Sequence, residues 1–232
     1  MKSISEDLSH AETALVISDV HANLPALRAA LALRLDNEPI LFAGDAIGYY
    51  AEPNECIDLL RNSGAICVRG NHEAYVIGDL IPNPANAAKY RVDWTREQLR
   101  PNTLAWVREL PHTVNIKATS LNIVLRHANP VDEETYLYPD TDLGQYSQPE
   151  GQLLIVGHTH HPMLRDAGAG KVLNPGSVGQ PRDRKPKPSL ARVGLVTGYV
   201  EFLRAEYDVQ AYQARLRSDG WPMDTIDMLS KH

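Results

Sequence analysis

Short β-branched segments recur along this chain, and each ends in a group of Asp, Asn or His. Segments 14–17, 40–43, 65–68, 123–125 and 153–156 read as strands. They run into Ser18-Asp19-Val20-His21, Gly44-Asp45, Gly70-Asn71-His72-Glu73, Arg126-His127 and Gly157-His158-Thr159-His160-His161. Six of the nine histidines therefore stand just past a strand. Loops at strand ends of an α/β sheet are where active sites are built. Carboxylate, amide and imidazole donors converging there from five segments are ligands for hard or borderline metals. The pattern predicts an α/β chain with a two-metal hydrolytic site.

The first half alternates strand and helix. Leu24, Leu27, Leu31 and Leu35 recur at helical spacing behind Pro25. A second helix starts near Pro53, carries Ile57, Leu59 and Leu60, and is closed by Gly64. Short connections between such elements imply parallel strands joined by right-handed crossovers. Region 84–109 reads as helical, divided in two by Pro101. Beyond it, strands at 112–117, 121–127, 153–157, 162–166, 171–174, 189–197 and 199–206 suggest a mostly antiparallel meander. A last helix is expected over 208–218, with a tail from Gly220, and 1–12 reads as a flexible N-terminal tail. Segment 129–152 is the longest irregular stretch, a length that suits a functional loop or lid. Because the motifs straddle both halves, one site formed between two sheets in a single domain, 1–232, is the economical reading.

Bulk properties restrict the partners. A net charge of −6 and a pI near 5.8 argue against stable nucleic-acid binding by a basic face. The two cysteines, Cys56 and Cys67, have no metal-type spacing and read as core thiols. No apolar run approaches the roughly 20 residues of a membrane span. A cytoplasmic location is expected.

Two divalent ions held close together need a shared ligand. Asp45, central in the motif order, is the natural bridge. Asp19 and His21 are spaced to share one face of a strand end, as are His158 and His160. Asn71 offers an oxygen without adding charge. Two ions and two aspartates leave about +2 for an anionic substrate, whereas four carboxylates would repel phosphate.

The order Asp-x-His, Gly-Asp, Gly-Asn-His, His, Gly-His-x-His resembles that of the calcineurin-like metallophosphoesterases. The run Asn174-Pro175-Gly176-Ser177-Val178-Gly179-Gln180-Pro181-Arg182-Asp183 looks like the signature of their small bacterial and archaeal phosphodiesterase branch. The resemblance implies two packed β-sheets flanked by helices, a four-layer α/β/β/α sandwich. It implies that Asp19, His21, Asp45 and His160 hold one metal, and that Asp45, Asn71, His127 and His158 hold the other. His72 matches the catalytic histidine that contacts the substrate phosphate and is placed to protonate the leaving group. Asn71 and Arg182 are the substrate-binding candidates. The implied activity is hydrolysis of a phosphodiester or phosphoanhydride by a hydroxide shared between two divalent ions. Manganese is the expected metal, and iron, nickel, cobalt and zinc suit the same donors. The implied partner is a phosphorylated small molecule such as a nucleotide or dinucleoside polyphosphate. Phosphoprotein phosphatase is the enzymatic alternative. A protein-binding scaffold is the alternative from another class, but a scaffold has no need to keep every ligand, and all are present.

Two positions depart from the family pattern. Glu73 replaces an Asp that orients the histidine, and Ala128 replaces a Gly, implying strain if that position needs a positive φ. His10, His112 and His232 lack a motif, and His161, followed by Pro162, is expected to point away from the metals. Tyr49 and Tyr50, just past Asp45, are candidates for stacking on a nucleobase.

Overall fold

The computed structural model describes residues 2–230, so Met1 and His232 lie outside the described residues. Two sheets stack face to face. The first half supplies β2 (Thr13–Ile17), β3 (Ile40–Phe42) and β4 (Ile66–Cys67), paired in parallel. Between them run α1 (Leu24–Leu31) and α2 (Pro53–Asn62). The hairpin β10 (Ser189–Gly194) and β11 (Val200–Arg204) extends this sheet, giving the order β11-β10-β2-β3-β4. The second sheet has the order β1-β5-β6-β7-β9-β8. Its strands are β1 (Ser3–Asp7), β5 (Thr113–Lys117), β6 (Asn122–Leu125), β7 (Gln152–Ile155), β8 (Met163–Ala167) and β9 (Gly170–Asn174).

Side-chain alternation explains the layering. In β2 and β3, Ala14, Val16 and Leu41 face the other sheet and meet Val114, Ile123, Leu125 and Ile155. Leu15, Ile17, Ile40 and Phe42 face the helices and pack on Leu27, Ile57, Leu60 and Val107. Strands buried on both faces carry no polar position, which is why these segments read as unbroken apolar runs. Over the outer face of the six-stranded sheet, Leu137, Leu143 and Tyr146 cover Leu154, Val156 and Val172. Two packed sheets flanked by helices are thus as expected, with segment 129–152 and its short 3-10 turn Gly144–Tyr146 forming the layer on this last side.

The structure corrects several expectations. Segment 1–12 is not a free tail: β1 pairs in parallel with β5 from Ser3–Thr113 to Asp7–Lys117. All five β1 side chains are exposed, so backbone hydrogen bonds hold an edge strand that has no hydrophobic signature. Leu8, buried between the sheets, anchors its end. The second half is not a mostly antiparallel meander, because β6–β7 and β7–β9 pair in parallel and β10–β11 joins the other sheet. Region 84–109 forms three helices, α4 (Pro84–Tyr90), α5 (Val92–Gln98) and α6 (Pro101–Glu109), after α3 (Asn71–Ile77). Arg91 in the left-handed region makes the extra break. After α7 (Val209–Ser218) the chain does not fray at Gly220 but forms α8 (Met223–Asp227), with Ile226 and Leu229 buried against Tyr50 and Tyr212. The two cysteines are free and buried, as expected.

Leu41 is fully buried between the sheets. Leu41→Ala should lower unfolding stability by about 2–5 kcal/mol, measured as the urea midpoint at constant slope. A loss well under 1 kcal/mol would contradict this packing.

Candidate metal centre

The site lies where the two sheets present strand ends to one another. Asp19 and His21 follow β2, Asp45 follows β3 and Asn71 follows β4, while His127 follows β6 and His158 and His160 follow β7. Three groups of donor atoms come within 4.8 Å: Asp19, His21 and His160; His21, Asp45 and His72; and Asp45, His127 and His158. All are buried. Asp19 and His21 do not reach the site by strand alternation. Their φ values are 54° and 51°, and Asp45, His158 and His160 also have positive φ (61°, 69° and 63°). Each such residue costs of order 1–3 kcal/mol and persists where its surroundings over-determine it.

Those surroundings are visible. The Asp45 carbonyl accepts from the N–H groups of Val20 (2.8 Å) and His21 (3.0 Å). Ser177 Oγ donates to the Asp19 carbonyl at 2.7 Å, and Gly179 N–H donates to the same oxygen at 2.9 Å. A Cβ on Gly179 would stand 1.9 Å from the Val20 carbonyl, so this contact requires glycine. The run 174–183 therefore braces the Asp19 loop more than it contacts the donor cluster. Glu73 braces the Asp45 loop. Its carboxylate accepts from the N–H groups of Asp45 (3.0 Å), Ala46 (2.8 Å), Ile47 (3.3 Å) and Gly70 (2.7 Å). Burial, then the Asp45 charge, raises its pKa to about 7 against the pull of these donors. Glu73 thus holds the backbone of the Asp45 turn rather than orienting the His72 ring. Ala128 does not have positive φ and stores none of the strain expected of it.

The imidazoles carry the strongest signal. Nδ1 of His21, His127 and His160 face the carbonyls of Ile47 (3.2 Å), Ala43 (2.7 Å) and Gln180 (2.7 Å). His158 is reversed, with Nε2 facing the Glu134 carbonyl at 2.9 Å. A nitrogen facing a carbonyl carries a proton, so in a neutral ring the other nitrogen presents its lone pair. Those inner nitrogens point at one another: His21 Nε2 to His160 Nε2 at 3.0 Å, and His127 Nε2 to His158 Nδ1 at 3.1 Å. Asn71 Oδ1 lies 2.9 Å from His127 Nε2. Lone pairs gathered in a buried space repel unless a positive charge stands among them, and outward N–H to carbonyl bonds are the usual support of metal-ligating histidines. The residues fit divalent cations.

Asp45 sits between the two halves. Its Oδ1 accepts the His72 N–H at 3.0 Å. Its Oδ2 lies 3.2 Å from His127 Nε2 and 3.9 Å from His21 Nε2. Electrostatics follow the burial. Desolvation pushes His21 and His160 down, His72 to about 4 and His158 to about 3. His127 is the exception: despite burial, the Asp45 carboxylate raises it to about 10, so without metal a proton occupies the place a cation would take. Burial opposes ionisation of Asp19 and Asp45, but the facing histidines outweigh it, holding Asp19 at about 2 and Asp45 well below the usual range.

His72 lies beside the cluster with Nε2 4.0 Å from Asp45 Oδ2. It is packed between Tyr49 (5.2 Å between centroids) and Tyr90 (4.6 Å), and its buried Nδ1 has no partner. The exposed Arg182 reaches back over the rim, donating to Gln180 Oε1 at 2.9 Å and lying 3.4 Å from the Tyr49 hydroxyl. His161 stands outside the cluster, edge-on to Tyr138, as expected. Tyr50 is fully buried and bonded to Gln180, and Tyr49 is 3 % exposed, so neither is free to stack on a base. Tyr136, which sequence reasoning missed, stacks on His158 with centroids 3.9 Å apart.

Comparison with known proteins agrees with this arrangement. The model of the calcineurin-like phosphoesterase superfamily domain matches residues 13–198. An uncharacterized protein from Methanocaldococcus jannaschii is 34 % identical over 223 residues, spanning 85 % of this chain and 89 % of that protein. The crystal structure of a metallophosphoesterase from Sphaerobacter thermophilus superimposes with a TM-score of 0.77 at 31 % identity, covering 95 % of this chain and 99 % of that one. A hypothetical protein from Pyrococcus horikoshii shares the fold, with a TM-score of 0.82 at 23 % identity over 94 % and 98 % of the two chains. The chain belongs to the calcineurin-like phosphoesterase superfamily.

The pKa directions fix the sign of an acid response. Unfolding lets His21, His72, His158 and His160 take up protons near pH 6.5, which the folded site resists. Glu73, raised from 4.5 to about 7, acts in the opposite sense across that window, and His127, raised to about 10, opposes only at its upper edge, two groups against four. The metal-free protein should therefore lose stability as pH falls from 6.5 toward 4.5, by up to about 1.4 kcal/mol per pH unit for each net proton. Urea midpoints in chelator at several pH values check this, and a midpoint that rises on acidification would contradict it.

Proposed function

We propose that the protein is a dinuclear-metal-dependent phosphoesterase that hydrolyses a phosphodiester or phosphoanhydride in a phosphorylated small molecule, such as a nucleotide or dinucleoside polyphosphate. The observation that carries this reading is the set of inward-facing imidazole nitrogens gathered on both sides of Asp45 Oδ2. In this reading Asp19, His21, Asp45 and His160 hold one ion, and Asp45, Asn71, His127 and His158 hold the other. Manganese is the proposed ion; the mixed oxygen and imidazole donors accept iron, nickel, cobalt or zinc as well. When bound, such ions supply Lewis acidity toward the phosphoryl oxygens and toward the attacking water. The chain's own part is to orient. Outward carbonyls set each imidazole, Asp45 serves both halves, and burial keeps competing solvent away from the donors. Arg182 and Asn71 are the proposed substrate contacts, with Arg182 offering a guanidinium to outlying phosphates. No helix among the described residues is long and apolar enough to cross a membrane. Two buried free thiols suit the cytoplasm.

His72 is the proposed catalytic residue. Burial lowers its pKa to about 4 in the metal-free protein, so the ring there is neutral near pH 7 and able to donate a hydrogen bond to a phosphate.

Two experiments test these roles. Chelation should abolish hydrolysis across nucleotides, dinucleoside polyphosphates and p-nitrophenyl esters, and manganese should restore it. Elemental analysis of Asp45→Asn should then show both ions depleted, and two retained ions would remove the bridging role. Separately, His72→Ala should slow p-nitrophenyl and nucleoside esters by a similar factor, about 10²–10³-fold. A loss confined to nucleoside esters, whose leaving group needs a proton, would instead make His72 the general acid.

A further inference from the structure

Segment 129–152, whose length suits a functional loop or lid, has a few residues fastened directly behind the site. Asn129 Oδ1 accepts from the N–H groups of Val131 (2.6 Å) and Asp132 (3.0 Å), and Asp132 accepts from those of Glu134 (2.8 Å) and Thr135 (2.7 Å). Glu133 takes two hydrogen bonds from the buried Arg69 guanidinium, at 3.1 and 3.2 Å. Glu134 then touches two different elements of the site. Its carbonyl faces His158 Nε2 at 2.9 Å, and its carboxylate accepts the Tyr75 hydroxyl at 2.7 Å.

Tyr75 stands one helical turn beyond Asn71 on α3, on the same face. Asn71 turns Oδ1 toward His127 Nε2, so its NH₂ group faces the other way, where it donates toward the Tyr75 oxygen. An amide has two ends of nearly equal shape and opposite polarity, and only its oxygen can face a cation. A carboxylate only accepts, so Glu134 commits the phenol proton to itself and leaves a phenol lone pair for the Asn71 amide. The direction of the hydrogen bonds is thereby fixed from Glu134 through Tyr75 to Asn71.

We propose that Tyr75 and Glu134 are positioning residues for the metal position shared by Asn71 and His158: Tyr75, oriented by Glu134, holds the Asn71 oxygen inward, while the Glu134 carbonyl holds the His158 lone pair inward. This rests on the ligand roles proposed above for Asn71 and His158. It assigns to the irregular segment the task of setting two ligands of one ion, leaving the two histidines of the other ion to the carbonyls of Ile47 and Gln180.

The test uses the whole chain and manganese alone. Wild type, Tyr75→Phe, Asn71→Asp and the double variant are titrated with Mn²⁺, with free ion counted by electron paramagnetic resonance and heats by calorimetry. Tyr75→Phe should weaken one of two binding steps by about 10–100-fold and leave the other unchanged. In the Asn71→Asp background the loss should vanish, because a carboxylate has no wrong end. Equal weakening by Tyr75→Phe in both backgrounds, or none in either, overturns the inference while leaving the two-ion reading intact. Wild type that binds no Mn²⁺ overturns both. Melting temperatures in chelator separate a packing role: a fall shared by both backgrounds with unchanged Mn²⁺ affinity would make Tyr75 a core residue only.

Discussion

Asp45 is held from every side, and the geometry of the centre depends on that. Its carbonyl takes the Val20 and His21 amides, one carboxylate oxygen takes the His72 amide, and Glu73 takes its own N–H. One oxygen is left to face the imidazoles. A buried carboxylate with one lobe engaged by backbone and one directed into a polar cluster is pre-organised for charge, and little reorganisation remains when a cation arrives. Gly70 permits this closeness, since a Cβ there would lie 2.1 Å from Asp45 Oδ1.

The two sheets make complementary contributions. Parallel β2, β3 and β4 deliver the carboxylates and the amide, and β6 and β7 of the second sheet deliver three imidazoles from across the interface. The apolar layer of Val16, Leu41, Leu125 and Ile155 fixes the separation of these two sets of strand ends. Close-packed interiors transmit small displacements. The register of the two sheets is therefore also the register of the donor atoms.

Much of this was legible in the sequence because the candidate donors are side chains at strand ends, marked by residue type and spacing. The structure brings Asp19, His21, Asp45, Asn71, His127, His158 and His160 together. What escaped notice is carried by backbone. The carbonyls of Ile47, Ala43, Gln180 and Glu134 choose the tautomers, and any residue can supply a carbonyl. β1 escaped for the same reason, being a strand with no buried face. Glu73 was read through the family's histidine-orienting Asp, whereas the helix turns its carboxylate toward the preceding loop. Tyr136 sits in a stretch with no periodicity, so nothing local announced that it would stack on His158.

The same features bear on whether the fold serves catalysis or only binding. Left-handed backbone at Asp19, His21, Asp45, His158 and His160 costs of order 1–3 kcal/mol per residue. The His21 and His160 lone pairs opposed at 3.0 Å add repulsion inside a buried site. None of this strengthens an outer docking surface, which needs neither strained ligands nor a hollow of unshared electron pairs. A chain that only displayed its exterior would be more stable with these positions relaxed or filled by apolar side chains. Retaining all of them, with Glu73 and Glu134 arranged to keep them in place, is intelligible when the interior itself receives a charged ligand.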